Sequence, residues 1–160
     1  MSLDNLVGKG LEKTATDADE VARYMAMIEA KLKDSKNSSN SFVSRFDLAF
    51  ESLLQAAVLA LRANGYRTTS QAGHQQLAIQ TLPKSVGLDV AEVRTLEEYR
   101  KKRSAGLYGA DYSPTEEEVK SVIQSADALL RIVRDWIKAN HRELIQQKRE
   151  ESPQARHKPR

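Results

Sequence analysis

Apolar residues recur at three- and four-residue intervals along most of this chain, and polar breaks divide them into about five helical segments. The first opens at Asp17-x-x-Glu20. There Asp17 can accept from the unpaired N–H groups of a first turn, and both acids suit the positive end of the helix dipole. Val21, Tyr24, Met25, Ile28 and Leu32 follow at helical spacing. Asp34 to Asn40 is a polar break. A second helix is expected from Phe42 to Ala63, burying Phe42, Phe46, Ala49, Phe50, Leu53, Ala57 and Leu61, with Asn64-Gly65 as its stop.

A weaker pattern runs from Gly73 to about Leu82 and should end at Pro83. Asp89-x-x-Glu92 opens a fourth helix with Val90, Val93, Leu96 and Tyr99 on one face. In Ser113-Pro114-Thr115-Glu116 an N-cap, a first-turn proline and a capping-box acid fall in order. Val119, Val122, Ile123, Ala126, Leu129, Leu130, Val133, Trp136 and Ile137 then hold one face for five turns, and Leu144 is a candidate extension. No period-two strand pattern and no internal repeat is visible. The expected architecture is all-α, an up-and-down bundle of about five helices forming one domain over residues 1–147.

Composition adds bounds to this outline. With 40% hydrophobic and 29% charged residues the chain has the profile of a soluble globular domain. The lack of cysteine excludes disulfides, thiolate catalysis and Cys-type zinc sites, and fits a reducing compartment. No apolar run reaches the roughly 20 residues of a membrane span, and the first residues do not read as a secretion signal. The expectation is a cytoplasmic protein without membrane contact.

The charge needs locating before it is interpreted. Residues 148–160 carry five Lys or Arg against two Glu, which accounts for the whole net charge of +3. That segment reads as a flexible basic tail, polar and broken by Pro153 and Pro159. In the body only one local cluster stands out, Arg100, Lys101, Lys102 and Arg103, running into Ser104-Ala105-Gly106-Leu107-Tyr108.

Each chemical candidate has a plainer reading beside it. Gly8-Lys9-Gly10-Leu11-Glu12-Lys13-Thr14 imitates a phosphate loop but has Glu12 where glycine is required and no preceding strand, so a frayed lead-in is expected. His74, His141 and His157 lack partners at i+3 or i+4, and no metal site is expected from them. His74 reads as a structural hydrogen-bonding residue at a helix start. Asp47, Glu51 and Gln55 recur at i, i+4 and i+8 on the second helix. They form either a solvated face or a polar seam that meets the basic cluster from another helix or subunit. Arg100 to Arg103 can simply favour the negative end of a helix. Alternatively, Gly106 loosens the helix and lets Tyr108 leave its place, since Arg103 and Tyr108 would lie about 140° apart on a regular helix.

The order of these parts resembles the HEPN domains of prokaryotic toxin–antitoxin and phage-defence proteins. The likeness covers roughly residues 15–140. It rests on Arg45 to Ala57 followed by Arg62-Ala63-Asn64-Gly65-Tyr66-Arg67, on Gly73-His74-Gln75, and on Arg100-x-x-Arg103-Ser104-x-x-x-Tyr108 before the Ser-Pro helix. The last segment is similar to the family's Arg-Asn-x-x-x-His signature, with serine and tyrosine in place of asparagine and histidine.

The resemblance implies a metal-independent endoribonuclease without cofactor, in which Arg103 and Tyr108 are catalytic. Arg100, Lys101, Lys102 and Ser104 would bind RNA or nucleotide, supported by Asp47, Glu51 and His74. It also implies a homodimer and a nucleotidyltransferase antitoxin as partner. Tyrosine, with an ordinary pKa near 10, is a poorer base than histidine. A second reading is therefore a non-catalytic module that binds RNA, a nucleotide or the nucleotidyltransferase, with Tyr108 or Tyr112 a conceivable site of modification. A third is a plain helical interaction protein.

Overall fold

The computed structural model describes residues 2–70, 72–108 and 112–145, apart from the side chains of Leu107 and Tyr108. The fold is an all-α bundle, 72% helical, with α1 over Ala18–Ser35, α2 over Phe42–Ala63, α3 over His74–Gln80, α4 over Leu82–Ser85, α5 over Val90–Tyr108 and α6 over Glu116–Asn140. The expected basic tail lies outside the described residues. Among those described, no helix is long and apolar enough to cross a membrane.

Helix α2 is the axis of the molecule. Phe46, Ala49, Phe50, Leu53, Ala56, Ala57, Ala60 and Leu61 on it are all buried. Its alanines alternate with large residues, which lets α1 and α6 pack closely on two of its sides. Arg45 Nε near its start donates to Ser35 O at the end of α1, while Arg62 near its end reaches Glu20 at the start of α1. The two helices are therefore antiparallel. Lys36–Asp127 and Arg134–Glu29 ion pairs run the same way between α1 and α6, so α6 lies parallel to α2.

Side-chain caps hold the start of α1, as expected, and also the start of α2. Asp17 accepts from Glu20 N at 2.8 Å, and Ser41 accepts from Ser44 N at 3.1 Å. At α6 the frame moves by two residues. Thr115, not Ser113, is the N-cap, and Thr115 and Glu118 bond each other's backbone N–H groups reciprocally at 3.1 Å. Both frames satisfy the capping-box pattern. The one chosen also leaves Glu118 paired with Lys102 of α5.

Several expectations are corrected. Phe42 and Val90 are exposed, because each is the first residue of its helix and projects past the elements that would cover it. Pro83 does not end a helix but sits in the first turn of α4, where its missing N–H costs nothing.

The N-terminal segment is not frayed. A 3-10 turn over Leu3–Leu6 leads to β1 (Leu11–Lys13), which pairs antiparallel with β2 (Tyr66–Thr68) in the register Leu11↔Thr68, Glu12↔Arg67 and Lys13↔Tyr66. Leu3 and Leu11 belong to the core. Gly10 makes this docking possible: a Cβ there would lie 2.5 Å from Leu77 Cδ2 of α3, and its φ of +110° is one that other residues resist.

Helix α5 is built in two unlike halves. Val93, Leu96 and Tyr99 anchor the first half in the core. The Tyr99 hydroxyl shares hydrogen bonds with Ser121 Oγ at 2.5 Å and Ser125 Oγ at 3.3 Å on α6. Beyond Tyr99 the basic side chains are held by ion pairs instead, and this half lies over the start of α2.

Candidate functional site

Arg103 is the centre of a small polar cluster at the start of α2. Its Nη2 donates to Glu51 Oε1 at 2.9 Å, and its Nε lies 3.5 Å from Asp47 Oδ1. The guanidinium carbon stands 5.6 Å from the centroid of the Phe50 ring. Asp47 and Glu51 thus form the seam that meets the basic cluster, within one chain. Their i, i+4 spacing puts both carboxylates on one face of α2, where a fork of donors from α5 can reach them. The engagement is incomplete: Arg103 Nε is buried and makes no hydrogen bond.

Tyr112 completes the cluster. Its hydroxyl donates to Asp47 Oδ1 at 3.0 Å. Its ring stands edge-on to Phe46, with centroids 5.8 Å apart and planes at 83°. Burial first, and then the Asp47 carboxylate, push this phenol well above its ordinary range. At neutral pH it is a fixed donor rather than an acid–base group. Gly106 leaves room for it, since a Cβ there would collide with the Tyr112 ring.

Helix α5 continues without a break through Tyr108. The expected loosening at Gly106 does not occur, because the small glycine serves the close approach of Tyr112 instead. Arg103 and Tyr108 therefore occupy positions about 140° apart around the helix. The Tyr108 side chain lies outside the described residues.

The other basic residues are also paired. Arg100 donates from Nε and Nη2 to Glu97 Oε2 at 3.1 and 2.9 Å. Lys101 lies 3.7 Å from Glu98 in an exposed pair. Lys102 pairs with Glu118, which holds that carboxyl below its ordinary range, helped by the hydrogen bond from Thr115 N. The four cations thus face five carboxylates, Arg103 meeting both Asp47 and Glu51. The segment is not an open basic patch of the kind that attracts polyanions by net charge alone.

What the fold does bring together is a cleft of about 250 Å³ in which Arg100, Arg103 and Ser104 of α5 face His74, Gln75 and Gln76 of α3. Its floor includes Phe50. It is smaller than a drug-sized ligand pocket and suits a group the size of a phosphate with part of a sugar. Two arginines, a hydroxyl, an imidazole and two amides are chemically apt for an oxyanion, through directed hydrogen bonds rather than bulk charge. Among the described residues no three of His, Cys, Asp and Glu converge to hold a metal ion.

Lys101 and Lys102 are not in this cleft. Gln76 does not stand out in the sequence, Gln75 enters only through the Gly73-His74-Gln75 likeness, and Tyr112 only as a conceivable site of modification. Glutamines at a helix start carry no distinctive signal, and Tyr112 is placed by a glycine six residues before it. No family model, no curated protein and no solved structure matches the chain.

Proposed function

We propose that this protein is a HEPN-like module that binds RNA through its phosphodiester backbone at the α3–α5 cleft. The observation that carries the reading is that Arg100, Arg103, Ser104 and His74, residues from two separate parts of the resemblance, line one cleft. The Arg103 fork is suited to holding phosphate, because Glu51 fixes its orientation while its other donors are not taken up by side-chain hydrogen bonds among the described residues. Because each cation already has a carboxylate partner, binding should be modest in affinity and geometrically selective. A toxin–antitoxin or defence role, with a homodimer and a nucleotidyltransferase as partners, belongs to the same proposal and rests on the resemblance alone.

A second reading, metal-independent RNA cleavage, is favoured by one feature. His74 shares the cleft with Arg103, and imidazoles as a class titrate close enough to neutrality to act as general bases. In that reading Arg103 steadies the phosphate, and Tyr108, set about 140° away from it, is dispensable unless a second subunit supplies it.

Labelled RNA incubated in EDTA with the wild type and with Arg103→Ala, His74→Ala and Tyr108→Phe separates the two. Binding without cleavage, lost in Arg103→Ala, is the expected result. Cleavage lost in both Arg103→Ala and His74→Ala would replace the binding module with the nuclease. Absence of both binding and cleavage would retire the site.

A further inference from the structure

A second cleft of about 270 Å³ also borders α3, where Lys9 and Thr69 of the N-terminal ribbon region line it together with Gln76 and Gln80. The two clefts have Gly73, His74 and Gln76 in common, so they adjoin at the start of α3. We infer that together they form one groove for consecutive phosphates of a single RNA strand, with Arg100 and Arg103 at one end and Lys9 at the other. This deepens the proposed function and rests on its assignment of phosphate binding to the Arg103 cleft.

Three observations support the second cleft as a binding surface. Lys9 is exposed and makes no ion pair among the described residues, unlike the four cations of α5. Its charge is thus fully available to an incoming anion. Thr69 Oγ1 is buried without a hydrogen-bond partner, an unsatisfied hydroxyl in the wall of a polar cleft. Lys9 is also held in place: Gly8 N donates to Leu11 O at 3.0 Å, Lys9 N to Leu6 O at 2.8 Å, and Gly10 O accepts from Thr69 N at 2.8 Å. The Gly-Lys-Gly sequence is therefore a rigid corner rather than a loose lead-in.

The occupant follows from the lining. Basic grooves that track a single strand usually add aromatics on which successive bases stack. The aromatic lining here is Phe50, which is 1% exposed and cannot stack on a base. The groove therefore suits a strand recognised by phosphate and sugar, with little preference among bases.

The test measures binding of uridine monophosphate and of fluorescently labelled octauridylate to the full chain over a salt series. Wild type, Lys9→Ala, Lys9→Arg and Arg103→Ala are compared, with melting curves confirming that each is folded. Lys9→Ala should weaken octauridylate binding several-fold, lower its salt slope by about 0.7, and leave the monophosphate unchanged. Lys9→Arg should restore both, and octaadenylate should behave like octauridylate. Arg103→Ala should weaken both ligands.

If Arg103→Ala weakens both ligands while Lys9→Ala changes neither affinity nor slope, the two-cleft groove is wrong and the proposed function survives. Equal weakening of both ligands by Lys9→Ala would also overturn a separate second subsite. If the wild type binds neither ligand, both readings fall together.

Discussion

Helix α2 carries an arginine cluster at each end, and the two differ in how completely the guanidinium is used. Near the C-terminal end Arg62 is almost wholly buried. Its Nε and Nη2 donate to Glu20 Oε1 at 2.8 and 2.5 Å, and Nη2 and Nη1 donate to the carbonyls of Ala15 and Thr14 at 2.9 and 3.3 Å. Thr16 Oγ1 donates to the same Glu20 oxygen. Near the N-terminal end Arg103 is more exposed, holds one carboxylate firmly and leaves Nε without a bond. Arg62 ties the ribbon, α1 and α2 together and has nothing to spare for a ligand. Arg103 is oriented but unsaturated, and it opens on a cleft. Saturation separates a structural arginine from one available for chemistry, since a guanidinium whose donors are all bonded has none left for a ligand.

This contrast is most easily broken at Arg62. Arg62→Ala leaves two carbonyls without their donor and Glu20 without its cation, and should cost about 3 kcal/mol in urea unfolding. RNA affinity of the folded protein should stay unchanged. A loss below about 0.5 kcal/mol would show that Arg62 does not tie the elements as described.

Gly106→Ala should come next. It forces Tyr112 off Phe46 and Asp47, and thermal unfolding should show a net loss of about 1 kcal/mol even though alanine favours the helix. An increase in Tm would mean that Tyr112 is not held against α5.

At Arg103 the order of effects reverses. Arg103→Ala should cost under about 1 kcal/mol of stability while strongly weakening RNA binding. Glu51→Gln should tighten binding several-fold, measured by fluorescence anisotropy, because it removes the charge that competes with phosphate for the same guanidinium. Weaker binding in Glu51→Gln would make the carboxylate chiefly an orienting group.

The smallest effects concern pH. Glu20 and Glu118 are held below the ordinary carboxylate value, by hydrogen bonds from Thr16 and Arg62 in the first case and from Lys102 and Thr115 in the second. A carboxyl with a depressed folded pKa stabilises the fold above its unfolded value, about 4.3, and loses that contribution as pH falls through the folded value. Tyr112, raised, contributes below its unfolded value of about 10 and loses that contribution as pH climbs toward the folded value. Tm measured across the range from acid to alkaline should fall at both ends. Glu20→Gln should flatten the acid limb and Tyr112→Phe the alkaline one.

Sequence and structure divide along the same line as the two arginines. The bounds of α2 can be read directly, because the polar break to Asn40 precedes it, Asn64-Gly65 stops it, and the apolar spacing between them is unambiguous. The start of α1 at Asp17 is equally local. The two-stranded ribbon is invisible in the sequence, since each strand has three residues and its pairing joins segments far apart in the chain. Of the candidate site, Arg103 is legible in the basic cluster, Ser104 and His74 only through the resemblance, and Asp47 and Glu51 as one of two possibilities.

What the chain determines by itself is local: caps, breaks and the periodicity that commits a segment to helix. These depend on hydrogen bonds and steric limits within a few residues. Which face of α5 meets α2, whether a cation is saturated, and which residues border a cleft were decided by the tertiary structure. Arg62 and Arg103 show the reason: Arg103 stands out in a basic cluster and Arg62 does not, yet neither setting says whether the guanidinium is saturated. Their roles follow from partners 42 and 52 residues away, brought into range when the core closes.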